Sequence, residues 1–159
     1  MHIHREDVSA FAKALQAGGT KIVFTNGCFD ILHIGHVRYL QAARALGDFL
    51  LVGLNTDASV RRLKGSSRPV NHAADRAEVL NALRCVDGVV FFDEDTAEAL
   101  VREIRPAVYV KGGDYTLDTL PEAKIVQSYG GTVHLINLVP NHSTTNIIAR
   151  MRQVELPCK

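Results

Sequence analysis

Thr25-Asn26-Gly27-Cys28-Phe29-Asp30-Ile31-Leu32-His33-Ile34-Gly35-His36 follows a short apolar run, Lys21 to Thr25, and precedes Val37, Tyr39, Leu40, Ala43 and Leu46 at helical spacing. Strand, glycine-containing turn and helix start therefore stand in that order. The first N–H groups of a helix have no internal partners and carry partial positive charge, so such a turn is a ready phosphate site. Gly27 and Gly35 let the backbone approach a ligand closely. The i, i+3 spacing of His33 and His36 in a first helical turn puts both rings on one side, aimed at whatever the N–H groups hold. Phosphoryl and nucleotidyl transfer alike need mostly alignment and stabilisation of developing charge on phosphate oxygens, which imidazoles can supply near neutral pH. Taken alone, the pair fits better a turn cemented by His33 with His36 as a capping residue.

The same alternation recurs along the chain. Further strands are predicted at Phe49–Leu54, Gly88–Phe92, Ala107–Lys111 and Thr132–Leu138, each short and rich in Val, Ile, Leu or Phe, as suits strands covered on both faces. Val8, Phe11, Ala12 and Leu15 predict a helix before the first strand, ending at Gly18-Gly19. Thr56 to His72 reads as a short helix leading into a basic, partly mobile loop with Arg61, Arg62, Lys64, Gly65 and Arg68. Helices are also predicted at Ala73–Arg84, at Thr96–Ile104 before Arg105-Pro106, and from Pro121 to Gly130-Gly131. A last helix follows the cap Ser143, with Ile147, Ile148 and Met151 on its inner face. Five strands joined by right-handed crossovers give an α/β fold, a Rossmann-like doubly wound five-stranded parallel sheet with helices on both faces. Its ligands bind beyond the carboxyl ends of the strands.

At 159 residues the chain suits a single domain spanning 1–159. Lys plus Arg number 18 against 17 Asp plus Glu, so no overall field attracts nucleic acid or an anionic membrane, and an anionic ligand needs a local cluster. The polar start Met1-His2-Ile3-His4-Arg5-Glu6-Asp7 has no apolar stretch for a signal or membrane span, so a cytoplasmic location is expected. Three cysteines without repeated spacing argue against a disulfide framework: Cys28 lies in the phosphate turn, where N–H groups lower a thiol pKa, Cys85 reads as core and Cys158 as tail.

The His33-Ile34-Gly35-His36 segment, with Gly27-Cys28-Phe29-Asp30 before it, resembles the H-x-G-H signature of the cytidylyltransferase-like nucleotidyltransferase family. Class I aminoacyl-tRNA synthetases share the H-I-G-H form, but no K-M-S-K-S-like segment is found. Asn55-Thr56-Asp57, Arg61-Arg62-Leu63-Lys64-Gly65, Arg68-Pro69-Val70-Asn71, Asp75-Arg76, Val110-Lys111-Gly112-Gly113-Asp114-Tyr115 and Ser143-Thr144-Thr145 look, in that order, like bacterial ADP-heptose synthase nucleotidyltransferase domains. The resemblance implies adenylyl transfer from ATP to D-glycero-β-D-manno-heptose 1-phosphate, giving ADP-heptose and pyrophosphate for lipopolysaccharide or related glycan synthesis. It also implies Mg²⁺ held mainly by the triphosphate, a homodimer, and a separate heptose kinase upstream.

The same resemblance makes His33, His36, Lys64 and Arg76 the candidate catalytic residues. Asn26, Gly27, Cys28, Phe29, Gly35, Lys111, Gly112, Asp114, Ser143, Thr144 and Thr145 join them around the nucleotide. Lys64 matches a lysine that approaches the phosphates, although a solvated surface lysine is the bland reading; Arg76 matches a phosphate-contacting arginine, or pairs with Glu78 or Asp75. Asn141-His142 stands where the family often has glycine or a basic residue. Asp30, Arg68, Asp93 and Glu94 are candidates for the acceptor side: Asp30 to bind magnesium, orient the acceptor or cap the turn, and Asp93 and Glu94 to accept hydrogen bonds from sugar hydroxyls. Asp95 reads as the cap of the next helix. Two alternatives stay open: a cytidylyltransferase acting on glycerol 3-phosphate or another small phosphorylated acceptor, and a non-catalytic module in which Cys28, His33 and His36 hold zinc.

Overall fold

The strands alternate strictly between two cores, and this alternation builds the molecule. In β2 (Ile22–Gly27), Ile22 and Phe24 face one core and Val23 the other; β3 (Phe49–Asn55) and β5 (Val108–Gly112) repeat the pattern with Leu51 against Leu50 and Val52, and Tyr109 against Val108 and Val110. With a period of two and apolar side chains at every position, both sheet faces need a cover. One is covered by α1 (Val8–Ala17), α5 (Glu98–Ile104) and α6 (Pro121–Ser128), the other by α2 (Ile34–Arg44) and α4 (Ala73–Asn81). The computed structural model describes residues 1–113, 115–136 and 143–154.

All strand pairs are parallel, in the order β1-β4-β3-β2-β5-β6, with β4 at Gly88–Phe92 and β6 at Thr132–Ile136. The sheet thus has six strands rather than the five expected. The additional one, β1 (His2–Ile3), pairs with Val89 and Val90 at the edge. Two residues with one apolar side chain leave no periodicity to read; beside the pairing, the Val89 N–H donates to the Met1 carbonyl at 2.9 Å.

From β2 the chain winds outward through β3 to β4, then returns to lay β5 on the other side of β2. The carboxyl ends of β2 and β5 therefore flank the point where winding reverses, which leaves a crevice there. α3 (Asp57–Lys64) leads into the basic loop, capped by Thr56, whose Oγ1 accepts the Ser59 N–H, and ended by Gly65 at φ 94°. The last helix, α7 (Thr144–Met151), is capped as expected by Ser143, but it buries no residue: Ile147 and Ile148 are half-buried and Met151 is 64% exposed. α5 starts at Glu98 rather than Thr96, with Ala97 at its cap position, and Arg105 ends it in the left-handed conformation at φ 47°. Asp114, Leu138, Asn141, His142 and Cys158 lie outside the described residues.

Candidate active site

A cavity of about 420 Å³ opens at the reversal point. Its walls hold Asn26 to Asp30 from the end of β2 and the turn after it, His36 from α2, Lys64 from α3, Arg68 from the basic loop, Lys111 from β5, and Thr144 and Thr145 from α7. Residues scattered over 120 positions converge because the ends of β2 and β5, the starts of α2 and α7 and the end of α3 with its following loop all meet there.

In the turn itself, His33 occupies the cap position of α2 and His36 its first turn, and their rings stack with centroids 3.9 Å apart. The i, i+3 spacing thus does put both imidazoles on one side. Phe29 packs against His36, centroids 5.4 Å apart, and takes a left-handed φ of 43° that the sequence had not signalled. Gly27 lies beneath that ring, and a Cβ there would come within 3.0 Å of Phe29 Cε2, so a larger residue would have to displace the ring by a few tenths of an ångström. The Nδ1 of His36 is buried with no hydrogen-bond partner among the described residues. Burial, and then the neighbouring His33, lower its pKa to about 4, so the ring is neutral at pH 7.

Asp30 holds the basic loop. Its side chain is 1% exposed and accepts the N–H groups of Val70 (2.8 Å) and Asn71 (2.9 Å) and the Arg68 Nε (2.5 Å), while Asn71 Nδ2 donates back to the Asp30 carbonyl. Burial opposes the charge, but these donors outweigh it and hold the carboxyl below its usual range. The loop expected to be partly mobile is therefore fastened at Arg68, Val70 and Asn71, which keeps Arg68 at the pocket wall.

Arg76 is held by partners other than the Glu78 or Asp75 foreseen for it. Its side chain is fully buried, outside the pocket wall, and it pairs with neither Glu78 nor Asp75. Its guanidinium donates to the carbonyls of Cys28, Asn55 and Asn71 and to Asp57 Oδ1 at 2.8 Å. It ties the turn after β2, the end of β3 and the end of the basic loop into one block behind the pocket.

Of Asp93-Glu94-Asp95, the residue at the pocket wall is Asp95. Asp93 accepts from Thr56 and Arg62, and Glu94 pairs with Arg5, which turns both away. Asp95 bonds Arg62 Nε at 3.1 Å and does not cap α5. The Cys28 thiol is pushed up by burial, with Lys64, Arg76 and Arg68 opposing, so the turn does not yield the low-pKa thiol expected of it. Cys85 is half-buried beside the second core. Thr144 Oγ1 donates to the Ile31 carbonyl at 3.3 Å, joining α7 to the turn. His33, Gly35, Gly112 and Ser143 are not among the residues that line this cavity. Asn55, Leu63 and Tyr115 line the cavity without having been singled out as site residues; Asn55 was legible as a polar residue ending an apolar strand.

Among the described residues, no group of three or more His, Cys, Asp or Glu side chains is placed to hold a metal ion, so Cys28, His33 and His36 do not form a zinc site. The charged residues on the wall are Lys64, Arg68 and Lys111 against Asp30 and Asp95, and both carboxylates are already paired with arginines. The cavity is thus suited to a polyanion. Among the described residues, no helix is long and apolar enough to cross a membrane.

A family model described as cytidylyltransferase-like matches residues 24–151. "Bifunctional protein HldE" of Geotalea uraniireducens is 56% identical over 145 residues, 91% of this chain and 30% of that protein. "Bifunctional protein HldE" of Pseudomonas paraeruginosa is 57% identical over 138 residues, 87% of this chain and 29% of that protein. The chain spans about 30% of the length of these relatives. Among solved structures, the lipopolysaccharide core biosynthesis protein from Thermoplasma volcanium GSS1 is similar with a TM-score of 0.61 at 28% identity, over 76% of this chain and 98% of that one. With the family model covering most of its length and the strand, turn and histidine pair in place, the chain belongs to the cytidylyltransferase-like family of nucleotidyltransferases.

Proposed function

We propose that the chain transfers an adenylyl group from ATP to D-glycero-β-D-manno-heptose 1-phosphate, forming ADP-heptose and pyrophosphate. The observation that carries the reading is His36 at the start of α2, stacked on His33 and lining a cavity whose unpaired charge is cationic. The ordered motifs shared with ADP-heptose synthase domains favour this acceptor and nucleotide. A sugar-phosphate oxygen attacks the α-phosphorus, the bond to the bridging oxygen of the β-phosphate breaks, and pyrophosphate leaves; no protein nucleophile is required. The free N–H groups of α2 and the two imidazoles hydrogen-bond the triphosphate oxygens, and Lys64 and Lys111 offset its charge. Thr144 and Thr145 close the far side. Arg76 acts by holding the turn in place. Arg68 and Asp95, both on the wall, are the groups best placed for the acceptor, in preference to Asp93 and Glu94.

Magnesium, which the family implies, finds no carboxylate cluster among the described residues, and the Asp30 oxygens are occupied by N–H donors. It belongs with the triphosphate, and the roles above do not depend on a protein-held ion. The heptose phosphate is supplied by a kinase reaction outside the region described. The homodimer common in the family is part of the proposal, and sedimentation velocity would test it, a monomer at micromolar concentration counting against it. The decisive assay is pyrophosphate release with ATP, CTP and GTP crossed with heptose 1-phosphate and glycerol 3-phosphate. Turnover is expected with ATP and heptose 1-phosphate; a preference for CTP with glycerol 3-phosphate would overturn the reading.

A further inference from the structure

The sheet face covered by α1, α5 and α6 carries, at its carboxyl end, a buried hydroxyl that the roles above leave unused. Side chains two apart on a strand share a face, so Phe24 and Asn26 of β2 lie on one side, as do Tyr109 and Lys111 of β5. Tyr109 stands opposite Phe24 in the parallel register, and the two rings stack with centroids 6.0 Å apart. Tyr109 is 0% exposed and belongs to the core beneath those helices. A phenylalanine would fill that apolar place, whereas a buried hydroxyl costs stability unless it is hydrogen-bonded. Its partner is Asn26 Oδ1, at 2.7 Å. Asn26 lines the cavity; Tyr109 stands off the wall.

A second contact fixes the direction of this bond. Asn26 Oδ1 also accepts Lys111 Nζ at 3.3 Å. An ammonium has donors only, so the amide edge facing Lys111 is the oxygen, and with an oxygen there the phenol O–H is the donor. Nδ2, with its two N–H donors, is left as the edge available to the pocket that Asn26 and Lys111 both line. The two anchors of Oδ1 differ in kind. Lys111 is a cation on a flexible stem at the longer distance, and a bound phosphate competes for its ammonium. Tyr109 is packed in the core against Phe24, at the shorter distance. Once Lys111 turns to an anion, Tyr109 is the anchor that stays.

We propose that Tyr109 is a positioning residue for the nucleotide: its hydroxyl holds the Asn26 amide so that Nδ2 donates to a phosphate oxygen and Oδ1 is turned from that anion. The proposal rests on reading the cavity as the nucleotide site. The two orientations of an amide occupy almost the same volume, so packing does not choose between them, and the reversed one sets a carbonyl oxygen against phosphate oxygens. One buried O–H thereby decides whether Asn26 offers the phosphates a donor or an acceptor.

A double-mutant cycle in ATP affinity, read by calorimetry, tests this. Tyr109→Phe is expected to bind ATP about fivefold more weakly than the wild type and Asn26→Ala about tenfold, with the double variant no weaker than Asn26→Ala, because the hydroxyl acts through the amide. A hydroxyl that merely supports the core would weaken binding by the same factor in both backgrounds. That outcome, or wild-type affinity in folded Tyr109→Phe, overturns the proposal. Should Tyr109→Phe not fold, NMR of wild-type protein carrying ¹⁵N at asparagine side chains decides, the Asn26 resonance being assigned by its loss in Asn26→Ala. Saturating ATP is expected to shift the Asn26 N–H protons, and unmoved protons in the ATP-bound protein overturn the donor role. Failure of ATP to bind the wild type overturns the nucleotide reading instead, and with it the role of Tyr109.

Discussion

Four acceptors surround the Arg76 guanidinium, three of them main-chain carbonyls and the fourth Asp57 Oδ1. A planar fork can serve all four at once, which a lysine ammonium on a flexible stem cannot. Arg76→Lys is therefore expected to cost about 2–4 kcal/mol, because it leaves buried acceptors unpaired; urea denaturation checks it, and wild-type stability would show that the block is not held by this residue. His36 offers a second prediction. The folded state keeps it neutral down to about pH 4, whereas the unfolded imidazole protonates near 6.5. Between these values the unfolded chain binds more protons, so stability is full above about pH 6.5 and falls as pH drops toward 4, by up to about 3 kcal/mol. Stability measured against pH should show this loss in the wild type and a flatter profile in His36→Gln. His36→Ala should also lower turnover about 10²- to 10³-fold, the scale for one donor to developing phosphate charge, and near-normal pyrophosphate release would sink the mechanism.

The basic loop after α3 is short of apolar residues, and its placement comes from Asp30 on another element. Asp30→Asn keeps the shape but removes the charge that Arg68, Val70 and Asn71 share. Exchange of the Val70 and Asn71 amides should accelerate about tenfold or more, with a loss of kcat/KM for ATP and little change in exchange elsewhere. Protection at those two amides equal to wild type would show that the loop is held by other means. The Ser143 cap shows the reverse situation, a local device readable without tertiary knowledge: its Oγ accepts the Asn146 N–H at 3.1 Å. Ser143→Ala is expected to cost about 1 kcal/mol and fray α7, seen as faster exchange at Asn146. Helix starts and stops of this kind were legible because caps, Pro121 and the paired glycines act within a few residues. The edge strand β1 was not, because two residues carry no period.

Across the whole molecule, one reversal of winding brings the ends of β2 and β5 together and assembles the site. The doubly wound parallel sheet was legible in the chain itself, since apolar runs alternating with amphipathic segments leave no other economical way to cover both faces. So was the histidine pair, because i, i+3 spacing on a first helical turn has one geometric outcome. The inward or outward direction of long polar side chains was not, because it depends on partners distant in sequence. Arg76 is off the pocket wall, where four acceptors from three segments meet around its guanidinium. Asp30 turns to the loop because buried N–H groups there need an acceptor, and Asp95 replaces Asp93 and Glu94 at the wall because Arg62 and Arg5 draw those side chains elsewhere. Glu122 carries no motif at all, and its hydrogen bond from the Ala97 N–H exists only once α6 is packed beside the start of α5. Local period and spacing act through neighbouring residues and can be read from order alone; the pairing of buried charges is settled by which segments the fold brings within hydrogen-bond reach.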